Sequence, residues 1–413
     1  MAKGRLVNEL PRLAATAVTW PVATIILIAI SVAVFAGMVA TGISPVTPTS
    51  EQLLRWGANY GPSTLGGQYW QLISSSFLHI GVLHLAVNML SLWVLGRMVE
   101  KFFGAFITAG LYLLTAVGAG LLTLSWDPVR VSAGASGAIF GLDGVLISVL
   151  YFGKLGLEPE LVRRALGWVV KIALANLLFG LRGSIDNMAH LGGLVTGLAA
   201  GLFLARSFAS PVEDRISHQT RVLAATTLVL LLLVFPVKHA KAFAIELDQA
   251  ENALRHNDYK TAIIHFEKYT SSQPNNAGGH AGLAFAYQAD QRVEDAVREY
   301  QRTLALQPDM TWAQLNLADL YAYQHKPTDA VALYKNCVGR AKLSATDYRW
   351  YGSALYDLQR YPEAEAELFE SLSLDKNDPF AHELLASVYG KLGKTQDAKK
   401  ERQLAADLSK GAN

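Results

Sequence analysis

The sequence predicts an all-α protein in two parts, a polytopic bundle of transmembrane helices followed by an α-solenoid of short helix pairs. Three observations predict it: long apolar runs in residues 1–240, alanines spaced by 34 residues in residues 243–413, and an unequal distribution of charge. Residues 1–240 hold 26 charged side chains with a net charge of +6, whereas residues 241–413 hold 44 with a net charge of −4. The overall composition, 51% apolar and 17% charged, is therefore an average over two parts of the chain that differ in composition.

Composition also excludes several classes of protein. A net charge of +2 without a basic stripe argues against nucleic-acid binding, so no nucleic-acid partner is expected. The chain has one cysteine, Cys337, which excludes an internal disulfide framework and a metal site built from several cysteines. We expect neither a metal nor a cofactor.

Seven apolar runs predict the membrane helices. Each run is apolar on all faces, as a transmembrane span is, and most approach the roughly 20 residues needed to cross the hydrocarbon core. The last run has only 16 residues between Arg221 and Lys238, so the sequence leaves open whether it crosses; snorkelling of these two side chains would allow it. The runs are 22–41, 82–99, 105–126, 134–153, 165–181, 187–205 and 222–237.

The distribution of lysine and arginine predicts the orientation. With the N-terminus inside, the inner segments hold eleven of these residues and the outer loops hold three, Arg55, Arg130 and Arg182. The basic start at residues 1–20 precedes an apolar run that is too long for a signal peptide and lacks a small-residue cleavage site, so we expect a retained first helix. Seven spans place residues 238–413 outside the cytosol, and six would place them inside it.

The second half predicts a helical repeat array. Alanines recur every 34 residues, with aromatic residues nine positions before and four positions after most of them, which is typical of paired helices packed through small and aromatic side chains. The pattern resembles five tetratricopeptide repeats over about 243–412, with Arg402 replacing an aromatic in the last copy as a polar cap would. The alanines are Ala262, Ala296, Ala330, Ala364 and Ala398. The histidines of the array, which have no ligand spacing and are predicted to lie on its surface or in its groove, are His256, His265, His280, His325 and His382.

Polar residues inside apolar runs indicate the functional site, because such residues are costly in a membrane. His84 and Asn88 in the second run are four residues apart and share one helix face. Ser136 lies in the fourth run and His190 in the sixth. All four lie within two or three turns of the outer interface, a common depth of about 5–12 Å.

These four residues supply the parts of a nucleophilic catalyst. A hydroxyl beside an imidazole provides a nucleophile and its general base, so Ser136 and His190 are the candidate catalytic pair. His84 and Asn88 are candidate donors to the oxyanion that forms on attack. Structural alternatives stay open. Ser136 could serve only helix packing, and His190 could be a buried histidine with hydrogen-bond partners. His84 and Asn88 could only form hydrogen bonds between helices. His79 is predicted to be structural.

Glycines predict how the serine and the imidazole meet. Gly137 and Gly141 in the fourth run, with Gly193 and Gly197 in the sixth, form small-xxx-small pairs that let two helices touch backbone to backbone. Without that contact the two side chains could not approach within about 3 Å.

The order of these motifs resembles the rhomboid family of intramembrane serine proteases over about residues 50–205. The resemblance implies a Ser136–His190 dyad without an acid, with His84, Asn88 and the Ser136 amide as the oxyanion hole. The dyad would cleave peptide bonds in or near substrate transmembrane helices. The matching stretches are Phe77-Leu78-His79, His84-Leu85, Asn88-Met89, Glu100 with Gly104, Gly134-Ala135-Ser136-Gly137, and Ala189-His190-Leu191-Gly192-Gly193 with Gly197.

The predicted organisation follows from both resemblances. Its parts are a cytoplasmic segment 1–20, a six-helix rhomboid core 21–207, a loop with a seventh span 208–242, and five repeats 243–413. The predicted partners are transmembrane protein substrates, the lipid bilayer and protein partners of the repeat groove. The predicted location is a bacterial inner membrane with the repeats outside the cytoplasm.

Three features of the sequence leave questions open. Trp70-Gln71 stands where many rhomboids have Trp-Arg, which puts the anchoring of the first loop in doubt. Phe140 stands where bacterial members commonly have a tyrosine; it can still stack on His190 but offers no hydroxyl. Asp143, seven residues after Ser136 on the same face, is either a neutral interior carboxyl or a group that tunes water or His190.

Two other functional hypotheses remain beside proteolysis. One is a catalytically silent, membrane-anchored scaffold for the repeats. The other is a transporter or channel, for which the spans offer only Asp143 and Lys171 as charged pathway groups and no evident inverted repeat.

Overall fold

The computed structural model describes residues 20–180 and 186–411, in which α-helix dominates. The chain divides into two compact units, the first ending at Ile245 and the second beginning at Glu246. The basic residues of the first 19 positions and Arg182, used above to predict orientation, lie outside the described residues.

In the first unit, helices lie at the positions of all seven predicted spans. The second and third spans form one 45-residue helix that is interrupted at Gly104, whose φ of 75° and ψ of 172° are not helical. Glycine adopts this conformation at no steric cost, which is why the interruption falls on it. The long helices are α1 (Val22–Ala40), α5 (Val82–Trp126), α6 (Ser136–Phe152), α7 (Pro159–Gly180), α8 (Asn187–Ala205) and α9 (Val212–Ala240). The short helices α2 (Ser50–Arg55), α3 (Gly61–Leu65) and α4 (Gln71–Ser74) lie in the connection between α1 and α5.

Length and composition suit membrane crossing in four of the described helices: Val22–Ala40, Val82–Trp126, Asn187–Ala209 and Glu213–Ala240. The apolar helix α6 is shorter, with 17 residues. Helix α7, predicted as the fifth span, is not among the four and contains Glu160, Arg163, Arg164 and Lys171. The last of the four extends well beyond the 16-residue run that made the seventh span uncertain.

Helix α6 lies at the centre of the bundle, packed against α5 and α8. A Cβ on Gly193 would lie 1.8 Å from the carbonyl oxygen of Gly137, and a Cβ on Gly197 would lie 1.9 Å from that of Gly141. No side chain fits in either place, so the predicted backbone-to-backbone contact is confirmed.

The outer helices are fixed by polar and small-residue contacts. The buried carboxylate of Glu100 on α5 accepts hydrogen bonds from the amides of Ala23 (2.9 Å) and Thr24 (3.0 Å) and from the Thr24 hydroxyl (2.8 Å). It therefore satisfies amides at the N-terminus of α1 that have no partner within that helix. Leu223 of α9 packs against Gly110 of α5.

The described residues from Ala242 onward form ten helices in five pairs. The repeated alanines lie in the second helix of each pair, and four of them are fully buried while Ala398 is 6% exposed. The helices are α10 (Ala242–Arg255), α11 (Tyr259–Ser272), α12 (Ala277–Ala289), α13 (Val293–Leu306), α14 (Thr311–Tyr323), α15 (Pro327–Cys337), α16 (Ala345–Asp357), α17 (Tyr361–Leu374), α18 (Pro379–Lys391) and α19 (Thr395–Gly411). The turn inside each pair holds one residue of positive φ, again every 34 residues: Asn257, Gln291, His325, Gln359 and Gly393.

The prediction that the array's histidines lie on the surface or in the groove is wrong for His280 and His382, which are each 9% exposed. His280 contacts Glu299 through Nδ1 (2.7 Å) and the Pro274 carbonyl through Nε2 (3.2 Å). His382, three repeats later, makes the equivalent contacts to Glu401 (2.6 Å) and to the Lys376 carbonyl (3.0 Å). Both rings are buried because both of their nitrogens have partners.

Candidate active site

Ser136 is the first residue of α6, so its amide belongs to the group of N–H donors that have no partner within a helix. The preceding Gly134 has a φ of 143°, and its amide donates to the carbonyl of Ser75 (2.9 Å). The hydroxyl and the amide of Ser136 therefore lie together at the positive end of the α6 dipole, where a developing negative charge is stabilised.

His190 lies in the first turn of α8, and its Nε2 is 2.9 Å from Oγ of Ser136. The ring is 5% exposed and stacks on Phe140 with centroids 4.3 Å apart and planes 19° apart. The predicted stacking on phenylalanine is thereby confirmed. Among the described residues, Nδ1 of His190 has no hydrogen-bond partner, so no carboxylate of that part of the chain completes a triad.

Asp186 fixes the start of the helix that carries His190. One carboxylate oxygen accepts from the amide of Ala189 (3.0 Å) and the other from the hydroxyl of Thr123 on α5 (2.8 Å). The same side chain is thus the N-cap of α8 and a link to the neighbouring helix. The role of Asp186 was not predicted, although an aspartate immediately before a helical run is a typical capping signal.

His84 and Ser136 both lie close to Gly134. A Cβ on this glycine would lie 2.7 Å from Cε1 of His84 and 3.7 Å from Oγ of Ser136. The amide of Ile80 lies 3.4 Å from Nδ1 of His84 and donates to it, which leaves Nε2 as the proton-bearing nitrogen of a neutral ring. A side chain at residue 134 would clash with the ring of His84, so glycine is required there. The Nε2–H of His84 remains available as a hydrogen-bond donor.

Asn88 follows one turn after His84 on the same face and is 5% exposed. Its Nδ2 has no hydrogen-bond partner among the described residues, and a buried unpaired amide is costly unless something else binds it. His79 is fully buried with its ring edge against His84, at a centroid distance of 5.4 Å, and so supports that ring.

The first loop is held from inside by Gln71, the residue that replaces the arginine of many rhomboids. Its side chain is 2% exposed, and Oε1 accepts hydrogen bonds from the hydroxyls of Ser63 and Thr64, both at 2.7 Å. The neighbouring Trp70 packs against Gly57, where a Cβ would lie 2.3 Å from the ring. The amide of Gln71 therefore joins α4 to α3 within this loop.

Asp143 lies two turns below Ser136 on α6 and is 2% exposed. Its Oδ1 has no hydrogen-bond partner among the described residues. The described part of the chain also contains no group of three or more histidine, cysteine, aspartate or glutamate side chains placed to hold a metal ion.

Comparison with known families matches both units. The rhomboid domain family matches residues 66–207, and the tetratricopeptide repeat family matches residues 247–311 and 315–382. Among solved structures, one titled "MamA MSR-1 C2" is 20% identical, covering 42% of this chain and 99% of that chain with a TM-score of 0.38.

Several curated relatives carry protease names. "Rhomboid protease GluP" of Bacillus subtilis (strain 168) is 28% identical over 304 residues, covering 73% of this chain and 58% of the relative. "Rhomboid-like protease 1" of Toxoplasma gondii is 30% identical over 203 residues, covering 48% of this chain and 67% of the relative. "RHOMBOID-like protein 6, mitochondrial" of Arabidopsis thaliana is 36% identical, and the chain spans 51% of its length.

Proposed function

Because the chain is an integral membrane protein that belongs to the rhomboid family and continues into tetratricopeptide repeats, we propose that it is an intramembrane serine endopeptidase acting through a Ser136–His190 dyad. The observation that carries the proposal is the 2.9 Å separation of Ser136 Oγ and His190 Nε2. This is the distance at which a histidine can take the proton of an attacking hydroxyl.

In the proposed reaction, Oγ of Ser136 attacks the carbonyl carbon of a substrate peptide bond while Nε2 of His190 accepts the hydroxyl proton. The oxyanion receives hydrogen bonds from the Ser136 amide, from His84 and from Nδ2 of Asn88. His190 then returns the proton to the leaving amine, and a water activated by the same imidazole hydrolyses the acyl-enzyme. The unpaired Nδ2 of Asn88 supports this role, because the oxyanion would supply its missing partner.

The substrates in this proposal are transmembrane proteins, and the repeats recruit substrates or protein partners. The protein would reside in a bacterial inner membrane with its N-terminus in the cytoplasm and the repeats outside. A substrate helix in the same bilayer loses little freedom on association, so a tethered groove adds selectivity to a bundle that binds weakly.

The test compares wild type with Ser136→Ala, reconstituted in proteoliposomes with a model single-span substrate. We expect cleavage to fall by about 1,000-fold or more, as for removal of a catalytic nucleophile. Ser148→Ala is the matched control, because this serine lies on the same helix and binds the carbonyl of Leu198 instead. Equal cleavage by wild type and Ser136→Ala would contradict the proposal and favour the membrane-anchored scaffold.

A further inference from the structure

The first three repeats line an open apolar cavity of about 460 Å³. This volume lies within the range of small-ligand pockets, about 300–1,000 Å³. Its walls include Leu247 and Leu254 of α10, Phe266 of α11, and Trp312 of α14, whose side chain is 46% exposed. The cavity therefore presents aliphatic and aromatic surface to an entering group.

The cavity is open because Gly278 carries no side chain. Two other glycines of α12 are required by packing, since a Cβ on Gly279 or Gly282 would lie within 2.5 Å of an aromatic ring beneath it. A Cβ on Gly278 would meet only Oδ1 of Asn276, at 3.3 Å. The same register in the third and fifth repeats holds Trp312 and Phe380. The second repeat thus lacks a bulky aromatic where two others have one.

One charged residue lines the cavity, the exposed Glu251 of α10. A carboxylate beside an apolar cavity favours a ligand that pairs a bulky apolar group with a cation. The space left by the absent aromatic at Gly278 fits an aromatic side chain, and Glu251 favours a lysine or arginine next to it. The expected ligand is therefore a peptide with an aromatic residue beside a basic one.

The chain also restricts where such a peptide comes from. Only seven residues of chain lead from Ala240, the last residue of α9, to Leu247 in the wall of the cavity. Tryptophan, tyrosine and basic residues are common where transmembrane helices leave the hydrocarbon core. A protein in the same bilayer presents that segment at high effective concentration.

We propose that this cavity binds an aromatic side chain in the juxtamembrane segment of a transmembrane substrate, next to a lysine or arginine that faces Glu251. The inference rests on the proposed proteolytic function and adds a determinant of substrate choice to it. The aromatic ring fills the space above Gly278 and packs against Trp312.

The test uses the full chain in proteoliposomes with two single-span substrates that differ only in the juxtamembrane pair, Trp-Lys or Ser-Ser. We expect wild type to cleave the Trp-Lys substrate with about tenfold higher kcat/KM. Gly278→Leu fills the cavity and should reduce cleavage of the Trp-Lys substrate to the level of the Ser-Ser substrate. Gly390→Leu is the matched control, because a Cβ there meets nothing within 4 Å and lies outside the cavity. Trp312→Ala, which removes a wall, should also reduce the preference.

A binding assay separates this inference from the function on which it rests. The Ser136→Ala variant, which does not cleave, is photo-crosslinked to each substrate. The Trp-Lys substrate should be captured about tenfold more strongly than the Ser-Ser substrate. The double variant Ser136→Ala, Gly278→Leu should capture both equally. If no chain cleaves but this capture persists, proteolysis fails and the cavity stands. A preference that survives Gly278→Leu overturns the proposal. Inhibition by a soluble Trp-Lys peptide at the same concentration as the membrane-bound substrate also overturns the proposal. Binding of the aromatic residue in the cavity would then not depend on the bilayer.

Discussion

Asp143 is a carboxyl buried in the bundle, about 10 Å along α6 from Ser136. Its Oδ1 has no partner among the described residues. Leaving a buried polar group unsatisfied costs about 1–3 kcal/mol, and an unpaired charge costs more. Of the two hypotheses for this residue, the geometry favours a neutral interior carboxyl, because no hydrogen bond joins it to the dyad.

We therefore expect Asp143→Leu to raise the free energy of unfolding by about 1–3 kcal/mol, since it removes the unsatisfied group at similar volume. Asp143→Asn is the matched control and should give no such gain, because it retains a polar group in the same place. Unfolding in mixed micelles measures the free energy of unfolding. Both variants should cleave a model substrate at the wild-type rate. A loss of cleavage in both variants at unchanged stability would show that Asp143 acts in the reaction.

The residues proposed for the chemistry were predictable from sequence because a polar side chain inside an apolar run is conspicuous. The structure brings Ser136 to His190 and places His84 beside the same glycine, although their catalytic roles stay predictions. Supporting residues were not predictable in this way. The link from Asp186 to Thr123 joins residues 63 positions apart, and no local pattern in the sequence pairs them.

At the scale of elements, the contact between α6 and α8 sets the distance between serine and histidine. Gly193→Ala would place a Cβ 1.8 Å from the carbonyl oxygen of Gly137, which is backbone and cannot rotate away. We expect the helices to separate, with a stability loss of about 1–3 kcal/mol or more. Cleavage should fall by about 100-fold, because a 1 Å misplacement of reacting groups costs that much.

Gly167→Ala is the control for this prediction, because a Cβ at Gly167 on α7 meets nothing within 4 Å. It should not lower the stability, because nothing crowds its Cβ and alanine is a better helix former than glycine. Denaturation in micelles and cleavage of a model substrate measure both variants. Wild-type cleavage by Gly193→Ala would mean that the backbone contact does not position the dyad.

Helix positions were also predictable, because apolar length and the 34-residue period set them, but turn geometry was not. Four non-glycine residues adopt positive φ at equivalent positions of successive repeats, including Gln291 and Gln359. Glutamine carries no local preference for this conformation. The turn is imposed by the packing of the two helices it joins, as it is at Gly393, where glycine occupies the position.

At the scale of the whole molecule, α9 decides on which side of the membrane the repeats lie. Near its start, Gln219 donates to the hydroxyl of Ser207, which follows the end of α8 opposite the dyad. Near its end, Lys238 lies 3.3 Å from the hydroxyl of Tyr69, in the connection that precedes α5 and its first-turn His84. Because α8 begins at the dyad and ends at Ala205, these two contacts lie at opposite ends of the bundle, and a helix that makes both has to cross it.

We therefore expect Lys260→Cys in the first repeat to react with a membrane-impermeant maleimide in intact cells, as Val129→Cys beside the start of α6 should. Arg163→Cys, which follows the opposite end of α6, should react only after the membrane is permeabilised. The native Cys337 is fully buried and gives little background. If Lys260→Cys instead behaves as Arg163→Cys does, α9 does not cross, the repeats face the compartment opposite the dyad, and the cavity above Gly278 cannot receive a substrate segment from the side where Ser136 acts.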